Sequence, residues 1–307
     1  MARYARLTTV SWSPKKEAEG EAQLAANRRQ AAEMIDRAAQ DGSDLVCMPE
    51  VFAQRHFPAE QWGDCAEPIP GPTTDAVGEA CRRNDCYAVA ATVEERGGRL
   101  YNAAALIDRA GEVVGVYHKM RPTRGELEHG ITPGSDAPAF EADFGRVGFA
   151  ICFDMNFPEV GQRLLENGAQ VVCWPSMYEA GRQLEFWAQE FGFYVVSSWG
   201  GHVNSIIDMS GAPLARTGYQ YPIASADVNF DRESFHQDEN MKHWDAIRAK
   251  YGRGVSLNIQ HAEGKFTLAS EMEDVSIEDI IAEFGLETWR AYRRDALDKI
   301  LAATPEG

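Results

Sequence analysis

Residues 145–159 read Gly-Arg-Val-Gly-Phe-Ala-Ile-Cys-Phe-Asp-Met-Asn-Phe-Pro-Glu. Residues 146–152 make an apolar run of strand length that ends in Cys152. Pro158 then opens a helical pattern that closes at Gly168, since Pro is tolerated in a helix's first turn and Gly ends one. A second apolar run, 170–174, follows and meets Pro175. Strand, sharp turn, helix and strand are the unit of a parallel sheet, so the segment predicts an α/β protein. It also places a cysteine at a strand's carboxyl end, and ligand sites in open α/β sheets lie outside those ends.

The alternation continues on both sides. Upstream, 6–12, 44–48, 87–93, 102–107 and 112–117 read as strands. Residues 17–40 read as a helix, with Leu24, Ala31, Met34, Ile35 and Ala38 at helical spacing. After Pro68-Ile69-Pro70-Gly71-Pro72, Thr73 or Thr74 caps a helix through about Asn84. Asp108-Arg109-Ala110-Gly111 turns 102–107 back into a hairpin with 112–117. Residues 118–134 read as a polar loop, and a loop of that length in a compact domain is functional or mobile. Downstream, a helix at 183–191 and strands at 194–199, 205–209 and 223–228 complete the set. Ser276 and Asp279 form a capping box, opening a helix with Ile277, Ile280, Ile281 and Phe284 on one face. A last helix follows Gly285, with Leu286, Trp289, Leu297 and Ile300 at helical spacing. The expected division is a domain over 1–230 and a C-terminal extension over 231–307, helical at its end, packing on the same domain or on a neighbouring subunit.

Composition removes several functions. The 307 residues carry 47 acidic and 30 basic side chains, a net charge of −17. Phosphate contacts need a basic face, so nucleic acid is not an expected partner. An anionic membrane is disfavoured on the same ground. No apolar stretch approaches the roughly 18 residues that a spanning helix needs. The first ten residues are too polar for a signal peptide, which predicts a cytoplasmic, reducing location. There the six cysteines are expected as free thiols, and their spacing fits no zinc pattern.

Three strand ends share a design. One strand runs through Cys47-Met48-Pro49 into Glu50. Another runs through Tyr117-His118 into Lys119. The third runs into Cys152. A carboxylate, an amine and a thiol meeting at one sheet end make a complete set for acyl transfer. The thiolate is the nucleophile. Glu50 takes its proton and delivers it to the leaving amine. Lys119 and the backbone N–H of Phe153 stabilise the oxyanion.

The flanking residues make this constellation specific. CMPEVF around Glu50, YHKMRPTRGE over 117–126 and GRVGFAICFDMNFPE over 145–159 resemble the nitrilase superfamily of carbon–nitrogen hydrolases. PIPGPTT, LYNAAALID, VVCWPS and SIIDMSGAPLA match in the same order. The resemblance implies a four-layer α-β-β-α sandwich that assembles as a homodimer or larger homo-oligomer. It implies Glu50 as general base, Lys119 as oxyanion partner, Cys152 as nucleophile and Glu126 as a second glutamate positioning the lysine or substrate. It implies neither a metal nor an organic cofactor.

Cys152-Phe153-Asp154 followed by Phe157-Pro158 looks like the amide-cleaving and carbamoyl-cleaving branches. Asn156 stands where many amidases carry Arg. The expected reaction is hydrolysis of a small linear amide or N-carbamoyl amine through a cysteine thioester. Nitrile hydrolysis, acyl transfer and a catalytically silent binding role are the alternatives. Trp174, Ser176, Met177 and Tyr178 follow a strand flanking Cys152 and are expected to line the pocket. With Glu128 and Glu179 near the mouth, a neutral or cationic amide is the expected substrate.

Overall fold

The computed structural model describes residues 3–305. Residues 1, 2, 306 and 307, at the ends of the two expected segments, lie outside the described residues. Contacts divide the chain into two compact units, one over Ala5–Val228 and one formed by Asn229 onward with the chain start up to Tyr4.

The larger unit holds two six-stranded sheets. The first contains β1 (Tyr4–Val10), β2 (Leu45–Cys47), β3 (Tyr87–Arg96), β4 (Arg99–Ile107) and β5 (Val113–His118). These lie in that order, and β12 (Ile223–Asn229) joins the β1 edge. The strands β1, β2 and β3 are parallel, while β3, β4 and β5 are antiparallel. The second sheet runs from β6 (Ala139–Glu141) through β7 (Arg146–Phe149), β8 (Val171–Pro175), β9 (Tyr194–Ser198) and β10 (Ser205–Ile207) to β11 (Pro213–Arg216). Its central strands β7, β8 and β9 are parallel.

The sheets pack face to face, which explains why β2 and β8 are apolar at every position rather than alternating. Cys47 on β2 reaches the Val196 carbonyl on β9 at 3.5 Å. The Ser198 hydroxyl donates to the Val10 carbonyl at 2.8 Å. Helices α1 (Gly20–Ala38) and α2 (Pro72–Asn84) cover the outside of the first sheet. Ala31, Met34, Ile35, Val77 and Ala80 bury there against Val46, Ala88 and Ala90. A short helix, α3 (Arg124–Glu128), precedes the second pair. Helices α4 (Pro158–Glu166) and α5 (Arg182–Phe191) cover the other sheet, with Leu164 over Gly148 of β7. The result is the expected α-β-β-α sandwich. Trp187, Phe191, Phe193 and Tyr194 are buried core aromatics.

The C-terminal unit carries a sheet as well as helices. Its end is helical, in α7 (Ile277–Phe284) and α8 (Trp289–Ala303), and Ser276 caps α7 reciprocally with Asp279. Before them stand α6 (Trp244–Tyr251) and an antiparallel sheet of β13 (Arg232–His236), β15 (Lys265–Ser270) and β14 (Val255–Gln260). Phe235, Phe266, Leu268, Ile277 and Ile280 form its core. The expected apolar stripe of α8 is not a core face, because Leu297 and Ile300 are exposed.

The α4–α5 contact is tight enough to test. A methyl group at Gly161 of α4 would overlap the buried Phe191 ring of α5. In an open helix, Gly→Ala gains about 1 kcal/mol. Here the overlap reverses the sign, and Gly161→Ala is expected to cost about 1–3 kcal/mol. Urea melts measure it, and a variant at least as stable as wild type disproves the packing.

Candidate active site

Each functional side chain is delivered by the end of an element. The chain leaves β2 through Met48-Pro49 into Glu50, which is buried. Val51 follows in the left-handed region, at φ 40°. The chain leaves β5 into Lys119, whose N–H donates to the Asn102 carbonyl of β4 at 2.9 Å. Glu126 sits on α3. The Thr123 hydroxyl accepts from the Glu126 N–H at 3.3 Å, and Glu126 Oε2 accepts from the Thr123 N–H at 2.7 Å. The 118–134 segment is therefore not a plain loop, because this capping box builds a helical turn inside it.

These elements bring three charges together out of water. Lys119 Nζ donates to Glu50 Oε1 at 2.9 Å and to Glu126 Oε1 and Oε2 at 3.0 and 2.8 Å. The Asn102 side-chain amide donates to Glu50 Oε1 and to Glu126 Oε1, each at 2.7 Å. The two glutamates are not equivalent. Both Glu126 oxygens are occupied, whereas Glu50 Oε2 is buried with no hydrogen-bond partner among the described residues. Burial works against the Lys119 ammonium, but the charges of Glu50 and Glu126 outweigh it and its pKa is raised. Burial likewise works against the Glu126 carboxylate. The Lys119 charge and the hydrogen bonds outweigh it, so that carboxyl is held below its ordinary value.

Cys152 follows β7 at φ 48°, a conformation that costs a non-glycine residue of order 1–3 kcal/mol and clusters at functional sites. Asp154 braces this elbow from within. Its carboxylate accepts from the Ile151 N–H at 2.8 Å, the Tyr117 hydroxyl at 2.7 Å and the Arg121 N–H at 2.8 Å. Burial raises the Asp154 pKa to about 6 against those bonds. The Trp174 indole N–H donates to the Cys152 carbonyl at 3.1 Å. Burial pushes the Cys152 thiol up to about 12, and the Glu50 charge adds to it. The Lys119 charge, the Met177 N–H and the Ser176 hydroxyl pull the other way. The resting thiol is therefore protonated at neutral pH.

A cavity of about 120 Å³ opens over Glu50, walled by Trp12, Phe52, Arg55, Met177 and Trp199, with Ser176 also exposed to it. Ser176 and Met177 are both among its lining residues. Trp174 does not line the cavity, because it is wholly buried and spends its N–H on the elbow. Tyr178 is also outside the lining. Its ring packs edge-on to Trp174 at 5.1 Å, and its hydroxyl accepts from the Asn156 amide and donates to Gln183 Oε1, both at 3.3 Å. The Phe153 ring packs on Phe157 at 5.3 Å, leaving only its backbone in the Cys152 turn. Asn156 also binds the Phe153 carbonyl and Gln183, so it braces the turn without a guanidinium. Neither Glu128 nor Glu179 lines the cavity, whereas Arg55 does. Asn102 was missed by the sequence reading. Its signal was a lone amide heading the apolar run 103–107.

Similarity to known proteins bears on the fold and the family. Residues 13–231 match the family model for carbon-nitrogen hydrolases. The omega-amidase NIT2 of Homo sapiens is 26% identical over 234 residues, covering 67% of this chain and 84% of that protein. The Xenopus tropicalis protein of the same name is 25% identical over 237 residues, covering 67% and 83%. Among solved structures, an amidase from Nesterenkonia sp. superposes with a TM-score of 0.63 at 19% identity, covering 80% of this chain and 96% of that one. Saccharomyces cerevisiae Nit3, a member of branch 10 of the nitrilase superfamily, superposes at 0.66 and 18%, covering 81% and 95%.

The buried charge cluster generates a prediction. Lys119→Met leaves two buried carboxylates without a cation, at an expected cost of about 3–5 kcal/mol. The Glu126 pKa is depressed in the fold, so its stabilisation is present above its ordinary 4.5 and lost as pH falls. In the variant, burial favours the neutral Glu126 carboxyl, so stability is regained as pH falls. Urea melts at about pH 8 and about pH 5 should show the defect shrinking at the lower pH. A constant defect rules out the cluster as its cause.

Proposed function

The chain belongs to the carbon–nitrogen hydrolase family, and we propose that it is a thiol-dependent hydrolase of a small linear amide or N-carbamoyl amine, with Glu50, Lys119 and Cys152 as its catalytic residues. The supporting observation is the asymmetry of the two glutamates. A proton shuttle needs an oxygen that can gain and lose a proton without breaking its own bonds. Glu50 Oε2 is such an oxygen, and Glu126 has none.

Cys152 Sγ attacks the carbonyl carbon as its proton passes to Glu50 Oε2. The order matters, because a thiol pushed up to about 12 is a poor nucleophile until a base takes the proton during attack. The tetrahedral oxyanion is stabilised by Lys119 and by the Phe153 N–H. All three N–H groups of Lys119 already have carboxylate acceptors in the resting site. What it brings to the oxyanion is a positive charge at a fixed place. Glu50 returns the proton to the departing ammonia or amine as the C–N bond breaks, leaving a thioester on Cys152. Water then attacks the thioester with Glu50 as base, and the acid leaves as the thiol regains its proton. Glu126 positions Lys119 throughout. Among the relatives, a mutant amidase from Nesterenkonia sp. AN1 carries the acetamide moiety of fluoroacetamide added covalently at its active site cysteine.

The same reading assigns this chemistry to residues 1–230, treats 231–307 as an appended extension, and takes the enzyme to be a cytoplasmic homodimer or larger homo-oligomer. Light scattering should then give at least twice the 34.0 kDa of one chain, and a monomer would remove the assembly from the reading.

Two variants separate the roles of Glu50 and Cys152. Cys152→Ala should abolish release of ammonia from a short amide while the thermal melt persists. Glu50→Gln should lower turnover by about 10²–10⁴-fold. Its thiol should still be alkylated by iodoacetamide, but more slowly than in wild type, because the base that takes its proton is gone. Near-normal turnover in either variant would exclude the mechanism.

A further inference from the structure

We infer that Asn102 is a positioning residue of the reaction, holding Glu50 and Glu126 on Lys119 and leaving the second Glu50 oxygen available to the cavity. This rests on the mechanism proposed above and adds the group that sets its geometry.

Asn102 lies on β4, wholly buried, with Val93 opposite it on β3. Its two side-chain N–H groups go to two different carboxylates. The opposite amide orientation would set Oδ1 against both glutamates, so the chemistry admits only this one. Few side chains could replace it. Serine has one proton to donate, and leucine fills the volume with none. Aspartate keeps the shape but adds a third negative charge. Lysine would add a second cation and neutralise the cluster.

The arrangement leaves two acceptors of one cluster, Asn102 Oδ1 and Glu50 Oε2, buried and without a hydrogen-bond partner among the described residues. Buried polar atoms are normally satisfied, so each exception asks for an explanation. The orphan on Glu50 is the proton-accepting oxygen. The orphan on Asn102 is the other end of an amide whose nitrogen is fully used. Without that nitrogen, Glu50 Oε1 keeps only Lys119, and the carboxylate torsion is broad enough to swing Oε2 away from the cavity.

The test uses the full chain and three variants, Asn102→Leu, Asn102→Asp and Asn102→Ser, with short aliphatic amides as substrates. Rates are expressed per Cys152 that iodoacetamide labels in the folded protein, so a loss of folded enzyme does not count as a loss of rate. The expected result for Asn102→Leu and Asn102→Asp is a fall in kcat of about 100-fold with little change in KM, the size of effect that misplacing a reacting group produces. Asn102→Ser, with one donor left, should fall between. Normal kcat per labelled site, or a loss carried by KM instead of kcat, overturns the positioning role. Absence of amide hydrolysis by wild type would overturn the proposed function instead. In that case the pH dependence of Cys152 alkylation decides for Asn102, and an identical profile in wild type and Asn102→Leu overturns it.

Discussion

The site depends on one buried ammonium. Lys119 stands between Glu50 and Glu126, and each charge would be intolerable at that depth without the others. The three groups carry a net formal charge of −1 although the cluster is internally paired. Asn102 adds one hydrogen bond to each carboxylate and no charge. The surrounding scaffold serves this arrangement. Strand ends β2 and β5 deliver Glu50 and Lys119, β4 supplies Asn102, and a capped turn holds Glu126.

The second constraint is the Cys152 elbow. A cysteine in the left-handed region is held there by Asp154, which gathers bonds from the elbow itself, from β5 and from the segment after Lys119. Cys152 and Lys119 are thus tied to one carboxylate, although they follow strands of different sheets. The thiol is buried and proton-bearing at rest rather than stored as a thiolate. An enzyme built this way limits stray alkylation or oxidation between turnovers, since the thiolate is the reactive form.

Much of this was legible in the chain. The strand ends at Glu50, Lys119 and Cys152, the helices on either side, and the Ser276 cap all follow from local rules of periodicity and capping. The capping box at Thr123 and Glu126 was equally local, yet a polar loop reading overlooked it. The alternating strand Val255–Gln260 was also there to be read, with partly buried Val255, Leu257 and Ile259 along one face. The α8 stripe failed for the opposite reason. Helical spacing shows that apolar residues share a face but not that anything covers it, and Leu297 and Ile300 stay exposed. Trp174 failed because proximity to a strand end does not say which way a ring points.

By itself the sequence determined which chemical groups stand at which strand ends and which segments must be buried, because both are properties of neighbours along the chain. Only the tertiary structure decided which groups meet. Glu50 lies 52 residues from Asn102 and 69 from Lys119, separations that close only when the strands take their order in the sheet. The same closure saturated Glu126 and left one Glu50 oxygen free. Hydrogen bonds depend on distances of a few tenths of an ångström and on angle, and no pattern of residue types carries that information.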